Sequence, residues 1–431
     1  MRVAFFTLGC KVNQYETEVM REAFLSAGHT AVSDNEPFDA VIINSCTVTA
    51  ESDRKTRQVL HRFRRENPNS VIVLTGCMVQ AFSEEAKELI DADIVVGNTD
   101  VKRVLTLTEQ FLREGERIFE YTPHTRTECF NTPDITDFAE RTRAYMKIED
   151  GCNRYCSYCI IPTARGFVRS KPLENIRREA EELAKKGFIE VVLVGINLSA
   201  YGKGEDINLC DAVDAVCEVE GIKRVRLGSL EPDHISDSML ERFKNQAKFC
   251  PQFHLSLQSG CDTTLKRMNR HYDSAFYADL VERIRRMFPD AAITTDIMVG
   301  FAGETEQEFE QSVDFLKKIG FSKAHVFAYS RRKGTVAYNL PNQITRAEKS
   351  RRSKIMLSAA AQCEAEFIKN QTGKITDVLF ETYENGVCEG YTPNYLRVCV
   401  NTNENIEGQI KKVKIISAKG ELAFGEIIDM E

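Results

Sequence analysis

The sequence predicts an α/β protein built in three parts: an N-terminal parallel-sheet α/β segment over residues 1–120, a central βα barrel over 141–370, and a small all-β barrel over 371–431. Three observations lead there. Strand-like and helical runs alternate up to about Asn370. A stretch without periodicity, YTPHTRTECFNTPDITDFAE at 121–140, interrupts them and reads as a linker. Beyond Gln371 the texture changes to short β-rich runs broken by Gly and Asn.

In the first part, Val3–Leu8, Ala40–Asn44, Ser70–Thr75 and Ala92–Gly97 read as strands. Tyr15–Ala27 reads as a helix with Val19, Ala23 and Phe24 on one face, closed by Gly28. Strand, helix, strand at this spacing implies parallel strands with right-handed crossovers. In the second part the strands are Ala144–Ile148, Glu190–Val194, Arg224–Leu227, Gln252–Leu257, Ala292–Val299 and Lys323–Ala328. The helix Glu174–Lys186 stops at Gly187, and Thr305–Ile319 opens on a capping box, Thr-Glu-Gln-Glu. Six βα units suit an open or closed barrel, with a doubly wound sheet as the competing arrangement. A long helix, about Arg346–Asn370, leads into the final β unit.

Hydrophobic residues make up 42% and charged residues 28% of the chain, which describes a soluble globular protein of two or three domains. No apolar run approaches the ~20 residues that span a bilayer, and we expect a cytoplasmic monomer with no membrane partner. Fourteen cysteines in such a protein suit reduced thiols or metal ligands better than disulfides. A net charge of −7 argues against indiscriminate polyanion binding but leaves room for local basic patches.

The strongest motif is CNRYCSYC at 152–159, directly after the strand AYMKIE. That is the carboxyl end of a strand, the edge that carries chemistry in βα folds. Three thiolates so close together select zinc or an iron–sulfur cluster. A closed zinc site wants a fourth ligand, whereas three cysteines on a four-iron cluster leave one iron open. Cys10, Cys46 and Cys77 each follow a strand as well, in FFTLGC, VIINSC and VIVLTGC. Singly each reads as a buried thiol. In a parallel sheet all three emerge at one edge, where they make a second open-site cluster; a zinc site or a reactive thiol stays open on this reading. Gly9 and Gly76 leave room there for a bulky ligand.

The segment GCNRYCSYCIIPTARGFVRS resembles the radical S-adenosylmethionine (SAM) methylthiotransferase family, and the resemblance runs the length of the chain. It implies an N-terminal cluster domain, a radical SAM barrel and a C-terminal TRAM domain. It implies two 4Fe–4S clusters, one on Cys152, Cys156 and Cys159 and one on Cys10, Cys46 and Cys77. SAM would serve as methyl donor and radical source, with sulfur held on the N-terminal cluster. Family-like stretches LVGINLSAYG, RLGSLEP, HLSLQSG and TTDIMVGFAGET make Gly195, Asn197, Ser229, Glu231, Gln258, Ser259 and Asp296 candidates for the SAM pocket. FAGET and GSLEP depart from the family's more usual FPGET and SSIEP. Asn13 and Thr47 are candidates for tuning the cluster thiolates through hydrogen bonds. A low-potential electron donor such as flavodoxin or ferredoxin is implied too.

The resemblance also bears on substrate. GCKVNQYE looks like the subgroup acting on tRNA that carries N6-threonylcarbamoyladenosine beside the anticodon, making the anticodon stem-loop the partner. The alternatives are isopentenyladenosine in tRNA, an aspartate of a ribosomal protein or, from another class, a non-catalytic metal-stabilised RNA-binding protein. Basic groups at Arg54–Arg65, Arg331–Lys333 and Arg346–Lys354 suit RNA, although each also reads as a solvated face. Residues 371–431 hold six Lys/Arg against ten Asp/Glu, so contact there must be local: Lys411, Lys412 and Lys414, with Tyr391 or Tyr395 for stacking.

Overall fold

A computed structural model describes residues 1–135 and 142–428. The end of the expected linker, 136–140, and the last residues of the β unit, 429–431, lie outside the described residues, as does 141.

The first sheet has six strands rather than four: β1 (Arg2–Thr7), β2 (Thr30–Val32), β3 (Ala40–Ser45), β4 (Val71–Gly76), β5 (Ile94–Val96) and β6 (Ile118–Glu120). Their order is β2-β1-β3-β4-β5-β6, and every pairing is parallel. The two unforeseen strands, β2 and β6, are edge strands of three residues, too short to display a period. β3 and β4 are buried along their whole length, as strands covered on both faces must be. Helices α1 (Lys11–Ser26), α2 (Ala50–Glu66) and α3 (Cys77–Ala81) follow β1, β3 and β4. α1 starts at Lys11, not Tyr15, because its buried face includes Asn13 and Glu16. Polar residues on a buried face hide the hydrophobic period that marks a helix.

The second region contains β7 (Arg143–Lys147), β8 (Glu149–Asp150), β9 (Arg169–Ser170), β10 (Glu190–Val194), β11 (Arg224–Leu227), β12 (Ser229–Leu230), β13 (Gln252–Leu255), β14 (Ala292–Val299) and β15 (Lys323–Ala328). β7, β10 and β11 form one parallel sheet and β12–β15 another, each in sequential order. Gly228 separates β11 from β12, and a Val225–Phe249 bridge links the sheets' neighbourhoods. The strand order never reverses, so this is an open barrel and not the doubly wound alternative, which needs a switch point. The capping box at Thr305 forms, with Thr305 and Glu308 exchanging bonds. The helix Arg346–Lys369 packs along β15.

The third region is a closed five-stranded barrel: β16 (Ile375–Glu384), β17 (Val387–Tyr391), β18 (Arg397–Asn401), β19 (Ile410–Lys419) and β20 (Leu422–Ile427). Arginines on the central strands pin it. Arg224 donates to the Tyr391 and Asp377 carbonyls, each at 2.9 Å, and Arg226 to Pro393 O at 2.8 Å. Among the described residues no helix is long and apolar enough to cross a membrane.

Candidate active site

Cys10, Cys46 and Cys77 emerge at the carboxyl ends of the adjacent strands β1, β3 and β4. Cys46 and Cys77 are buried, and Cys10 opens to the central cavity. A Cβ on Gly9 would stand 3.0 Å from Cys46 Cβ, and one on Gly76 2.5 Å from Asn44 Oδ1 and Ser45 O. Both glycines have positive φ, +122° and +98°. Their room is therefore taken by the chain's own turns, not kept for a bulky ligand as their spacing suggested. Backbone N–H groups of Val12 and Asn13, in the first turn of α1, point at the Cys10 sulfur.

No pattern in the sequence marks the group that organises this trio. Arg165, at the end of the helix Ile161–Arg165 that follows Cys159, is fully buried against it. Its Nε donates to Cys77 Sγ at 3.1 Å, and one terminal nitrogen to Asn13 Oδ1 at 3.1 Å. Asn13 Oδ1 also accepts from the Cys10 thiol at 3.4 Å. Both terminal nitrogens of Arg165 grip Glu16, which Lys147 binds at 2.7 Å. Burial pushes the Cys77 thiol up to about 12; the Cys10 thiol, open to the cavity yet ringed by protein that strips its water, is raised as well, with Arg165 opposing both. The Glu16 carboxyl is held low: burial raises it, and Arg165 and Lys147 outweigh burial. Thr47 does not serve the thiols. Its hydroxyl donates to Asp53 at 2.7 Å and accepts from Arg332 at 2.8 Å.

Cys152, Cys156 and Cys159 lie on the loop after β8. Tyr155 takes the left-handed conformation, φ 51°, so the chain can turn between the first two thiols. Arg270 donates to Cys156 Sγ at 3.2 Å and to Glu231 at 2.5 Å. Burial pushes Cys152 up to about 12 and Cys159 higher still, and the neighbouring thiols add to both. Each trio thus combines three thiols that sense one another with one buried arginine on a sulfur. Among the described residues no three His, Cys, Asp or Glu side chains converge on a single metal ion. A donor set of thiols alone suits a soft iron–sulfur group.

The SAM candidates divide. Gly195, Ser229 and Asp296 line the central cavity, of about 520 Å³, together with Cys10. Glu231 reaches the cluster loop through Arg270. Gln258 adopts φ 70°, and its main chain bonds Asp296 and Met298. The Ser259 hydroxyl is spent inside its own turn, accepting from Cys261 N. Asn197 N donates to Glu149 Oε2 at 2.7 Å. Asn197 Oδ1 and Glu149 Oε1 are buried and lack a hydrogen-bond partner among the described residues. Burial drives the Glu149 carboxyl well above its usual range. Two orphaned acceptors beside Cys152 fit a ligand that brings an ammonium group. Glu149 was detectable only as the acid two residues before the motif's Gly151.

Several basic residues have other work. Arg332 is buried against Asp53 at 2.6 Å and Arg352 against Glu304 at 2.7 Å, so neither belongs to a surface patch. Tyr391 and Tyr395 stack on each other with centroids 4.7 Å apart, and Arg143 and Arg226 lie over their rings. Both rings line the central cavity. Lys412 bonds Asp377 at 3.1 Å.

With the geometry in place, comparison gives the family. The Radical SAM superfamily model matches residues 146–316, and the uncharacterised protein family UPF0004 matches 2–97. The chain is 37% identical over 423 residues to the threonylcarbamoyladenosine tRNA methylthiotransferase MtaB of Bacillus subtilis, covering 96% of this chain and 94% of that protein. It is 36% identical to the protein of the same name from Thermotoga maritima, covering 96% and 94%. It is 33% identical to the tRNA-2-methylthio-N(6)-dimethylallyladenosine synthase of Clostridium perfringens, covering 98% and 97%. The fold matches the radical SAM methyltransferase TsrM of Kitasatospora setae at a TM-score of 0.57 and 13% identity, over 89% of this chain and 79% of that one. The chain belongs to the radical SAM methylthiotransferase family, whose chemistry uses SAM and a 4Fe–4S cluster.

Proposed function

We propose that this protein methylthiolates N6-threonylcarbamoyladenosine beside the anticodon of tRNA. The observation that carries a two-centre mechanism is Arg165. The guanidinium at the end of the short helix that follows Cys159 is buried on the sulfur of Cys77, so the segment carrying one trio reaches a thiol of the other. The choice of substrate follows the relatives named for threonylcarbamoyladenosine, at 34–37% identity.

On this reading Cys152, Cys156 and Cys159 hold the radical SAM cluster, and Cys10, Cys46 and Cys77 a second one bearing sulfur. Bound there, the two clusters and SAM supply an organic radical, a methyl group and sulfur. The chain's own residues do the rest. Glu149 Oε1 and Asn197 Oδ1, buried without a partner among the described residues, would receive the SAM ammonium. Gly195, Ser229 and Asp296 shape the cavity in which adenine meets Cys10. Arg270 and Arg165 each donate to a ligand sulfur, offsetting thiolate charge away from water. Walls of β-strand keep solvent from a reactive carbon. The closed barrel at 375–427 acts as the TRAM domain, a flavodoxin- or ferredoxin-type protein delivers electrons, and the enzyme works in the cytoplasm as a monomer.

Nucleosides from tRNA of a strain lacking the gene test this. The methylthio form of threonylcarbamoyladenosine should vanish and return on complementation. Its persistence, with no second enzyme present, overturns the substrate; a colourless, zinc-bearing protein after anaerobic purification overturns the catalytic reading itself.

A further inference from the structure

The walls of the central cavity carry a charge pattern with one gap. Lys323 is paired with Glu364 at 3.1 Å and Glu421 at 3.2 Å. Arg397 is paired with Glu389, and Asp296 sits 3.3 Å from His254. Lys11 stands alone. Among the described residues no carboxylate lies within ion-pair distance of its ammonium, which stands 5.8 Å from the centre of the Tyr145 ring. Behind it Arg143, Arg224 and Arg226 crowd around Glu190, with Glu381 beyond, so the neighbourhood holds a surplus of positive charge. A lysine held among cations and facing a cavity suits an anionic ligand.

We propose that Lys11 reads the carboxylate of an amino-acid group carried on N6 of the target adenine, and so selects an acidic substituent over an apolar one. The inference rests on the tRNA methylthiotransferase reading above and deepens it. Position and chemistry agree. Lys11 is the chain neighbour of Cys10, at the start of α1, and both line the same cavity. In a ureido-linked amino acid, the N–H next to the carbonyl can bond ring N1. That turns the amino-acid group toward the C2 edge, the edge at which sulfur is added. A carboxylate there comes to Lys11 while C2 comes to Cys10. A dimethylallyl group in its place would leave the ammonium desolvated and unpaired, which penalises the wrong substrate. Lys11 lies outside the set expected for SAM and does not ligate a cluster; its task is selection.

The test is equilibrium binding of the anaerobically purified holoprotein to two synthetic anticodon stem-loops. One carries N6-threonylcarbamoyladenosine; the other is identical except for a primary amide in place of the carboxylate. The wild type should prefer the acid by roughly 10- to 100-fold, the range for a charge-assisted hydrogen bond. Lys11→Gln should bring that ratio close to one, and Lys11→Arg should retain most of it. Iron content and thermal melting report whether each variant is folded and loaded. Equal binding of acid and amide by the wild type overturns the proposal. So does a preference that survives in a folded Lys11→Gln protein, or one lost in a folded Lys11→Arg protein. A wild type that neither binds nor modifies the acid-bearing RNA fails at the earlier step, the substrate itself. A wild type that modifies it while Lys11→Gln keeps the preference fails only here.

Discussion

The two cysteine trios are assembled in opposite ways. Cys152, Cys156 and Cys159 come from one short loop, whose closure brings three thiols together at little entropic cost. Cys10, Cys46 and Cys77 come from the ends of β1, β3 and β4, and only a formed sheet makes them neighbours. Their cations differ as well. Arg270, on Cys156, belongs to the same barrel region. Arg165, on Cys77, crosses from the short helix after the barrel's cysteine loop to the edge of the first sheet. The distributed trio is therefore completed by a residue of the other region, whereas the local trio is complete within its own. Docking of the two regions is part of the second site, not packing around it.

The largest effect that could break this comparison is removal of one thiol from each trio. Cys156→Ala should abolish SAM cleavage and all methylthiolated product. Cys77→Ala should abolish product but leave SAM cleavage measurable as 5′-deoxyadenosine. Each variant should lose about half of the iron, since each trio would hold its own cluster. Equal loss of SAM cleavage in both would mean that the trios serve one centre.

Next comes the crossing residue. Arg165→Gln leaves Glu16 buried with only Lys147 as a cation, at a cost of about 3–5 kcal/mol in the range for a broken buried pair. Arg165→Lys keeps the charge but loses the fork that spans Cys77, Asn13 and Glu16. We expect a roughly 10- to 100-fold loss of iron affinity at the Cys77 trio alone, the usual penalty for losing a hydrogen bond to a ligand. Visible absorption in a Cys152→Ala background isolates that trio. Arg270→Gln should affect only the other one.

This asymmetry also explains what could be read in advance. The local motif shows itself because its spacing is its geometry. The distributed trio was legible only through strand ends, each too weak alone. The hydrophobic period of α1 begins only at Tyr15, four residues after the helix does, because Asn13 and Glu16 face inward. Arg165 and Arg270 were invisible for a related reason: a buried arginine and a solvated one look alike in a sequence. The same blindness placed Arg332 and Arg352 in surface patches, although both are locked in buried ion pairs. Pattern reports hydrophobic burial well and polar burial hardly at all. In this protein the site is made of buried polar groups.

The smallest expected effect concerns the joint between the regions away from both trios. Tyr15 on α1 donates to Glu179 at 2.9 Å, and Glu179 meets Lys171, which also binds Asp134 at 2.7 Å. Burial pushes the Glu179 carboxyl up to about 7, against the pull of Lys171. The folded state therefore takes up a proton near pH 7 that the unfolded state takes up only near 4.5. Between those values the folded state binds more protons, so its stability falls as pH rises and the full penalty is present above 7. The size is at most of order 3 kcal/mol. Thermal melting of the wild type should drop across that window, and Glu179→Gln, which cannot ionise, should flatten the drop. Iron content should stay constant in both, because this joint touches neither trio. An unchanged pH slope in the glutamine variant would mean that Glu179 stays ionised beside Lys171, and that the regions are held by a true buried ion pair.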